Sequence, residues 1–208
     1  MMSDINLPLI LLAALIASAS PGPATLAIAG TSMNSGRPFG LALAAGITTG
    51  SLMWSVTAAL GLGVIMLANA WAFEVIRYLG ACYLLFLAFK SARSALTPGA
   101  LTTRRVSTPT LKAAYGKGLA LHLTNPKAIL FFGSLFGVGI PPGSSPLALA
   151  IVISAIGLQS FLVFHGYAFL FSSPPMMAGY AKLRRWFEAV FAVAFGAAGF
   201  KILTARLD

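Results

Sequence analysis

The sequence predicts an all-α polytopic membrane protein of six transmembrane helices, and three observations carry that prediction. First, 58% of its 208 residues are hydrophobic, 9% are charged and the mean hydropathy is +0.89, which leaves far too little polar surface to cover a water-soluble globule of this length. Second, no acidic residue, lysine or arginine occurs between Asp4 and Arg37, between Arg37 and Glu74, or between Lys127 and Lys182. Long uncharged runs of this kind fit membrane helices of ~20 residues rather than the short alternating strands of a barrel. Third, the basic residues fall in alternate connections, as they do when a chain crosses the bilayer repeatedly.

Six spans follow in order, at roughly 5–30, 39–67, 71–91, 114–139, 145–171 and 185–204. The first contains Ala17-Ser18-Ala19, which resembles a signal-peptide cleavage site. The segment before it carries Asp4 and no base, however, and stays apolar through Ala29, so it reads as a retained helix. Pro21-Gly22-Pro23 interrupts this span. The second carries Gly46 and Gly50, a small-x3-small face that lets helices approach closely. The third holds Arg77 and Cys82. The fourth is interrupted by Asn125-Pro126-Lys127-Ala128 and carries a second small face at Gly133 and Gly137. The fifth contains His165 and Tyr167. The sixth places Glu188 and Lys201 near the interfaces, where long side chains can snorkel.

Arg37 lies in the first connection; Lys90, Arg93, Arg104, Arg105 and Lys112 lie in the third; Lys182, Arg184 and Arg185 lie in the fifth. The second and fourth connections have no base. The positive-inside rule therefore makes loops one, three and five cytoplasmic and puts both termini outside, against a weak dissent from Arg206. The net charge of +10 is read in the same way, as a set of topology determinants facing anionic lipid rather than a nucleic-acid surface. Cys82 is the only cysteine, so no intrachain disulfide or cysteine metal cluster is possible.

The polar stretch 94–112 divides residues 1–93 from 113–208, three spans on each side. An odd number of spans in each half means that related halves must be inverted, an arrangement common among secondary transporters. Three correspondences keep the same order: Pro21 with Pro126, Gly50 with Gly157, and Ala88-Phe89-Lys90 with Gly199-Phe200-Lys201.

Pro-Gly-Pro in span one, Gly46-x3-Gly50 followed by Trp54, Tyr83-Leu84, Asn-Pro-Lys-Ala in span four, Tyr167 and Gly199-x-Lys201 together resemble the lysine exporter (LysE/RhtB-type) family of bacterial amino-acid efflux proteins. The resemblance covers nearly the whole length. It implies an exporter of amino acids or related metabolites in the cytoplasmic (inner) membrane, driven by the proton gradient. Many relatives carry an acid directly after the second glycine of span two, where this chain has Ser51. A coupling role for that acid is not transferable here.

The two breaks are where chemistry is expected. Proline in a span frees the carbonyl four residues earlier, and glycine beside it lets the backbone unwind. The half-helix after the break offers N–H groups and a positive dipole end to a carboxylate, and the carbonyls ending the preceding half suit an ammonium. Ser20 and Asn125 precede the two prolines and can cap or bind. Lys127 adds a charge at mid-span, with no carboxylate expected at that depth. The candidate substrate site is therefore Ser20, Pro21, Gly22, Pro23, Asn125, Pro126 and Lys127, with Gly46, Gly50, Trp54, Tyr83 and Tyr167 around it. The opposing readings are a packing kink at the prolines, a snorkelling Lys127 and aromatic residues that only pack.

His122, His165 and Lys127 are the proton-coupling candidates. Two histidines without nearby acids make a poor metal site, and no cofactor is expected. The expected partners are a small amino-acid substrate and the bilayer, with the small-residue faces serving the bundle or a homodimer. A non-transporting scaffold or complex subunit is the alternative function. An intramembrane enzyme is disfavoured, since there is no His-Glu-x-x-His, no Gly-x-Ser-x-Gly and no pair of intramembrane aspartates.

Overall fold

A computed structural model describes residues 5–68, 70–97, 109–141 and 143–204, and within them every regular element is a helix. Asp4, Arg104, Arg105, Arg206, Asp208 and most of the polar stretch lie outside the described residues, as do the side chains of Glu74 and Arg77. The helices are α1 (Leu7–Ala19), α2 (Pro23–Ser35), α3 (Arg37–Ala68), α4 (Ala70–Leu96), α5 (Leu111–Leu123), α6 (Pro126–Gly139), α7 (Pro146–Phe171) and α8 (Pro174–Thr204).

Proline decides where several of them begin. Pro23, Pro126 and Pro146 each sit in the first helical turn, where the missing N–H has no intrahelical partner anyway. Polar caps complete two of these starts, Ser145 Oγ accepting from Ala148 N at 3.2 Å and Asn125 Oδ1 from Lys127 N at 3.1 Å, and Thr110 Oγ1 caps α5 by accepting from Ala113 N at 3.1 Å. Between α2 and α3, Gly36 takes φ +89°, a left-handed conformation that favours glycine.

The helix pair α1 and α2 bends by 51° at Ser20-Pro21-Gly22, and α5 and α6 are separated at Thr124-Asn125. Among the described residues three unbroken helices are long and apolar enough to cross a membrane, Arg37–Gly61, Tyr78–Leu96 and Pro146–Phe171, and the bent pair makes a fourth if it is one span. By length and composition α8 is not among them, although it runs 31 residues from Pro174 rather than starting near 185.

In lipid, helices gain no hydrophobic driving force from one another, so close packing must hold the bundle. Glycines supply it. A Cβ on Gly46 would lie 2.8 Å from Leu119 N, and one on Gly118 would lie 3.0 Å from the Leu43 carbonyl carbon, so α3 and α5 meet backbone to backbone. A Cβ on Gly199 would lie 3.1 Å from Ala81 O, which joins α8 to α4 in the same manner. Inside, Phe132, Phe136, Val152, Ile156 and Phe195 pack in one apolar cluster, and Ile28, Leu43, Ile47 and Phe164 in a second. Leu60, Leu147, Leu158, Leu162, Val193 and Phe200 face outward, the reverse of a water-soluble surface and suited to acyl chains.

Candidate functional site

The two breaks meet in space. Lys127, in the first turn of α6, donates from Nζ to Ser20 O at 3.2 Å and to Ser20 Oγ at the end of α1. Its ammonium also lies 5.9 Å from the Phe195 ring centre. The lysine head is thus held across the break, not extended away from it.

Each carbonyl that proline frees has found a partner. Pro21 would have bonded Ala17 O, which instead accepts from Ser20 Oγ at 3.0 Å; Pro23 would have bonded Ala19 O, which accepts from Tyr167 OH at 2.6 Å. Gly22 N donates to Thr25 Oγ1 at 2.9 Å. At the second break, Asn125 N donates to His122 O at 3.2 Å, the carbonyl that Pro126 leaves. The carbonyls ending α1, which suit an ammonium on the sequence reading, meet one at Ser20 O, that of Lys127. Tyr167 and Lys127 already occupy Ala19 O and Ser20 O.

Two cavities share Ser20, Gly22, Asn125 and Lys127 in their walls. The wide one, about 510 Å³, is further lined by Pro21, Pro23, Tyr83, Lys90, Ser94, Pro126, Arg184 and Glu188. The narrow one, about 50 Å³, reaches Thr25, Ser51, His122, Phe131 and Ser160. Volume separates their uses, since small-molecule sites run from roughly 300 to 1,000 Å³, whereas ~30 Å³ is one water's share of the liquid.

The remaining candidates separate clearly. Gly46 lines neither cavity and serves the α3–α5 contact; Gly50 packs on the His122 ring, 3.0 Å from a built Cβ to His122 Cβ. Trp54 also lines neither cavity. It packs against the first apolar cluster, its buried Nε1 without a hydrogen-bond partner among the described residues. Tyr167 works through its hydroxyl on Ala19 O. Tyr83 lines the wide cavity. His122 is buried, its Nε2 3.0 Å from Ser51 Oγ, and its ring stands edge-on to Phe164. His165 lies off both cavities, its Nδ1 2.9 Å from Phe161 O within its own helix.

Glu188 is the residue that the sequence reading leaves out of the site. The last span is drawn there from 185; α8 begins eleven residues earlier, at Pro174, so Glu188 falls near the middle of the helix. It is 4% exposed, and it lines the wide cavity with Lys127. Ser94 Oγ donates to Glu188 Oε1 at 2.9 Å and accepts from Arg184 Nη2 at 2.7 Å. The available signal was the i, i+4 spacing of Arg184 and Glu188, which puts both on one face of a helix.

Two discontinuous helices whose ends meet between a wide and a narrow cavity, in an all-helical chain with an apolar exterior, define the polytopic membrane transporters as a class. Comparison with known proteins gives the particular family. Residues 15–206 match the LysE type translocator family, and the chain belongs to it. It is a multi-pass membrane transporter and not an enzyme. Over 194 residues it is 29% identical to a threonine efflux protein of Salmonella typhi, covering 92% of this chain and 94% of the relative, and equally to a threonine efflux protein of Escherichia coli K12. It is 31% identical over 162 residues to a homoserine/homoserine lactone efflux protein of Salmonella typhimurium, covering 77% of each. No solved structure matches.

Proposed function

We propose that the protein is a secondary exporter of small zwitterionic amino acids with uncharged side chains, coupled to protons and acting across the bacterial cytoplasmic membrane. The observation that carries this reading is Lys127, held across two helix breaks in the wall of a cavity large enough for such a substrate. The substrate carboxylate exchanges with Ser20 for the lysine ammonium, beside the N-terminus of α2. That terminus has no side-chain cap on its free N–H groups, whereas Asn125 caps α6. The activities for which the relatives are named, threonine efflux and homoserine/homoserine lactone efflux, support the substrate class.

Lysine and arginine are poor substrates on this reading. Lys90, Lys127 and Arg184 line the wide cavity against the single carboxylate of Glu188, so a second cation on the substrate meets repulsion and no free partner among the described residues.

Six spans in two inverted halves account for the packing. α4 lies against α8 and α3 against α7, each helix with its counterpart, and the α3–α6 contact is matched by the α2–α7 contact. Basic connections converge at one end: Arg37 Nε donates to Ser172 Oγ at 2.9 Å, and Arg184 reaches Ser94. Taking that end as cytoplasmic, the wide cavity, which holds Lys90, Ser94 and Arg184, lies on the inner side. The proton route uses His122 and Ser51, which line the narrow cavity that Lys127 also borders.

The test is amino-acid release from cells expressing or lacking the protein, loaded in turn with threonine, homoserine, serine, lysine and arginine. The reading requires protein-dependent release of at least one neutral amino acid, slowed when the proton gradient is collapsed. Release of none identifies a scaffold or another substrate class, and faster release of lysine or arginine removes the charge argument.

A further inference from the structure

Resting on the reading of the wide cavity as an amino-acid site, we propose that Glu188 binds the substrate's ammonium group and sets the requirement for an amine. The argument is one of elimination inside the cavity. A zwitterion carries one anion and one cation. Its carboxylate has Lys127, Lys90 and Arg184 in the cavity wall, whereas its ammonium needs a concentration of negative charge. The usual source in a broken helix, the carbonyls that end the first half, is uncharged and partly engaged, Ala19 O by the Tyr167 hydroxyl and Ala17 O by Ser20 Oγ, whereas a carboxylate supplies a full negative charge. Glu188 is the one acidic side chain among the described residues of the cavity wall.

Its setting suits the role. The carboxylate is buried, so an ion pair made there is screened little by water. Ser94 fixes Oε1 from α4, and Ser94 is fixed in turn by Arg184, which holds the acid against the cavity without exhausting a group that can accept about four hydrogen bonds. Lys127 on α6 and Glu188 on α8 thereby present opposite charges to one space from different helices. A substrate that engages both must carry both charges, which separates an amino acid from a hydroxy acid and from an amino alcohol.

The experiment uses the full chain in proteoliposomes, measuring exchange of labelled L-threonine and its inhibition by 3-hydroxybutyrate, which lacks the amine, and by threoninol, which lacks the carboxylate. Wild type should prefer threonine to both analogues. Glu188→Gln should weaken threonine by about ten- to hundredfold while 3-hydroxybutyrate binds as well as before or better, the loss expected for one charge-assisted hydrogen bond. Arg184→Gln, which loosens Ser94 but leaves the carboxylate in place, should retain a preference for threonine over 3-hydroxybutyrate, lowered by no more than in Ser94→Ala, which separates binding by Glu188 from a merely structural role of the Arg184–Ser94–Glu188 chain. Should Glu188→Gln fail to reach the membrane, Ser94→Ala, which leaves the carboxylate in place but less firmly held, must lower the same preference by a smaller factor.

An unchanged preference in Glu188→Gln, or in Ser94→Ala where that variant stands in for it, overturns the assignment. So does parallel loss of threonine and 3-hydroxybutyrate. A wild type that exchanges threonine and homoserine but does not discriminate against 3-hydroxybutyrate overturns it while leaving the exporter reading intact. A wild type that exchanges no amino acid overturns both.

Discussion

Replacing Lys127 with methionine separates the cost of a charge from its use. The change removes two hydrogen bonds, to Ser20 O and Ser20 Oγ, and Ser20 is 2% exposed. Leaving that buried carbonyl unpaired costs about 1–3 kcal/mol. Against this, taking an ammonium out of a membrane helix returns about 2.5–3.5 kcal/mol on insertion scales. The two nearly cancel. Lys127→Met should therefore accumulate in the membrane at close to the wild-type level and melt within a few degrees of it in detergent. Transport should not follow, because the substrate carboxylate loses its closest cation: about 1.5–3 kcal/mol of binding, or roughly tenfold to a hundredfold in half-saturating threonine. The assay pairs immunoblotting of membranes with threonine efflux from the same cells. Arginine should rescue partly or not at all, since its planar head does not fit where a compact ammonium sits 3.2 Å from Ser20 O. Normal abundance with wild-type rate and affinity in Lys127→Met would show that the lysine is an anchor and that the site lies elsewhere.

Two further outcomes follow from the geometry and one from the loop charges. Gly46→Ala must force α5 away from α3, because its Cβ meets the Leu119 amide nitrogen at 2.8 Å; it should destabilise the protein by about 1–3 kcal/mol or more, read as a lower detergent melting temperature, and unaltered melting would refute the close approach. His122→Gln should alter the pH dependence of export while His165→Gln leaves it unchanged, since His122 alone of the two lines a cavity; equal behaviour of both variants removes the histidine from the proton route. With Cys82 replaced by serine, single cysteines at Asn69 or Ser144 should react with an impermeant thiol reagent outside the cell and one at Thr103 should not. Labelling at Thr103 in intact cells would overturn the inverted arrangement.

The breaks were legible because proline's effect on a helix is local: a missing N–H at Pro21, Pro23 and Pro126 requires no knowledge of what packs alongside. The same logic located Lys127, a charge in an apolar run. What answers those local demands is long-range. Tyr167 lies 148 residues from the carbonyl it satisfies, and Lys127 lies 107 from Ser20. Nothing in either segment announces its partner. Gly46 shows the same limit from the packing side. Its spacing to Gly50 marked a close contact correctly, but only the α3–α5 geometry shows that the contact is with Tyr115 and Leu119 rather than with a ligand. Glu188 was missed because hydropathy begins the sixth span at the basic cluster 182–185, whereas the helix runs through that cluster from Pro174.

The contact between Lys127 and Ser20 gives the proposed exporter a reason for having both breaks. Those two residues, with Gly22 and Asn125, form the wall shared by the wide and narrow cavities. Lys127 is held by a carbonyl and a hydroxyl, both uncharged and therefore weaker partners than a carboxylate. On the proposed reading a substrate carboxylate displaces Ser20 and breaks this contact between the end of α1 and the start of α6, in the wall that both cavities share. A continuous first helix would have left Ser20 O bonded within its own turn, and Lys127 would have met no open carbonyl there.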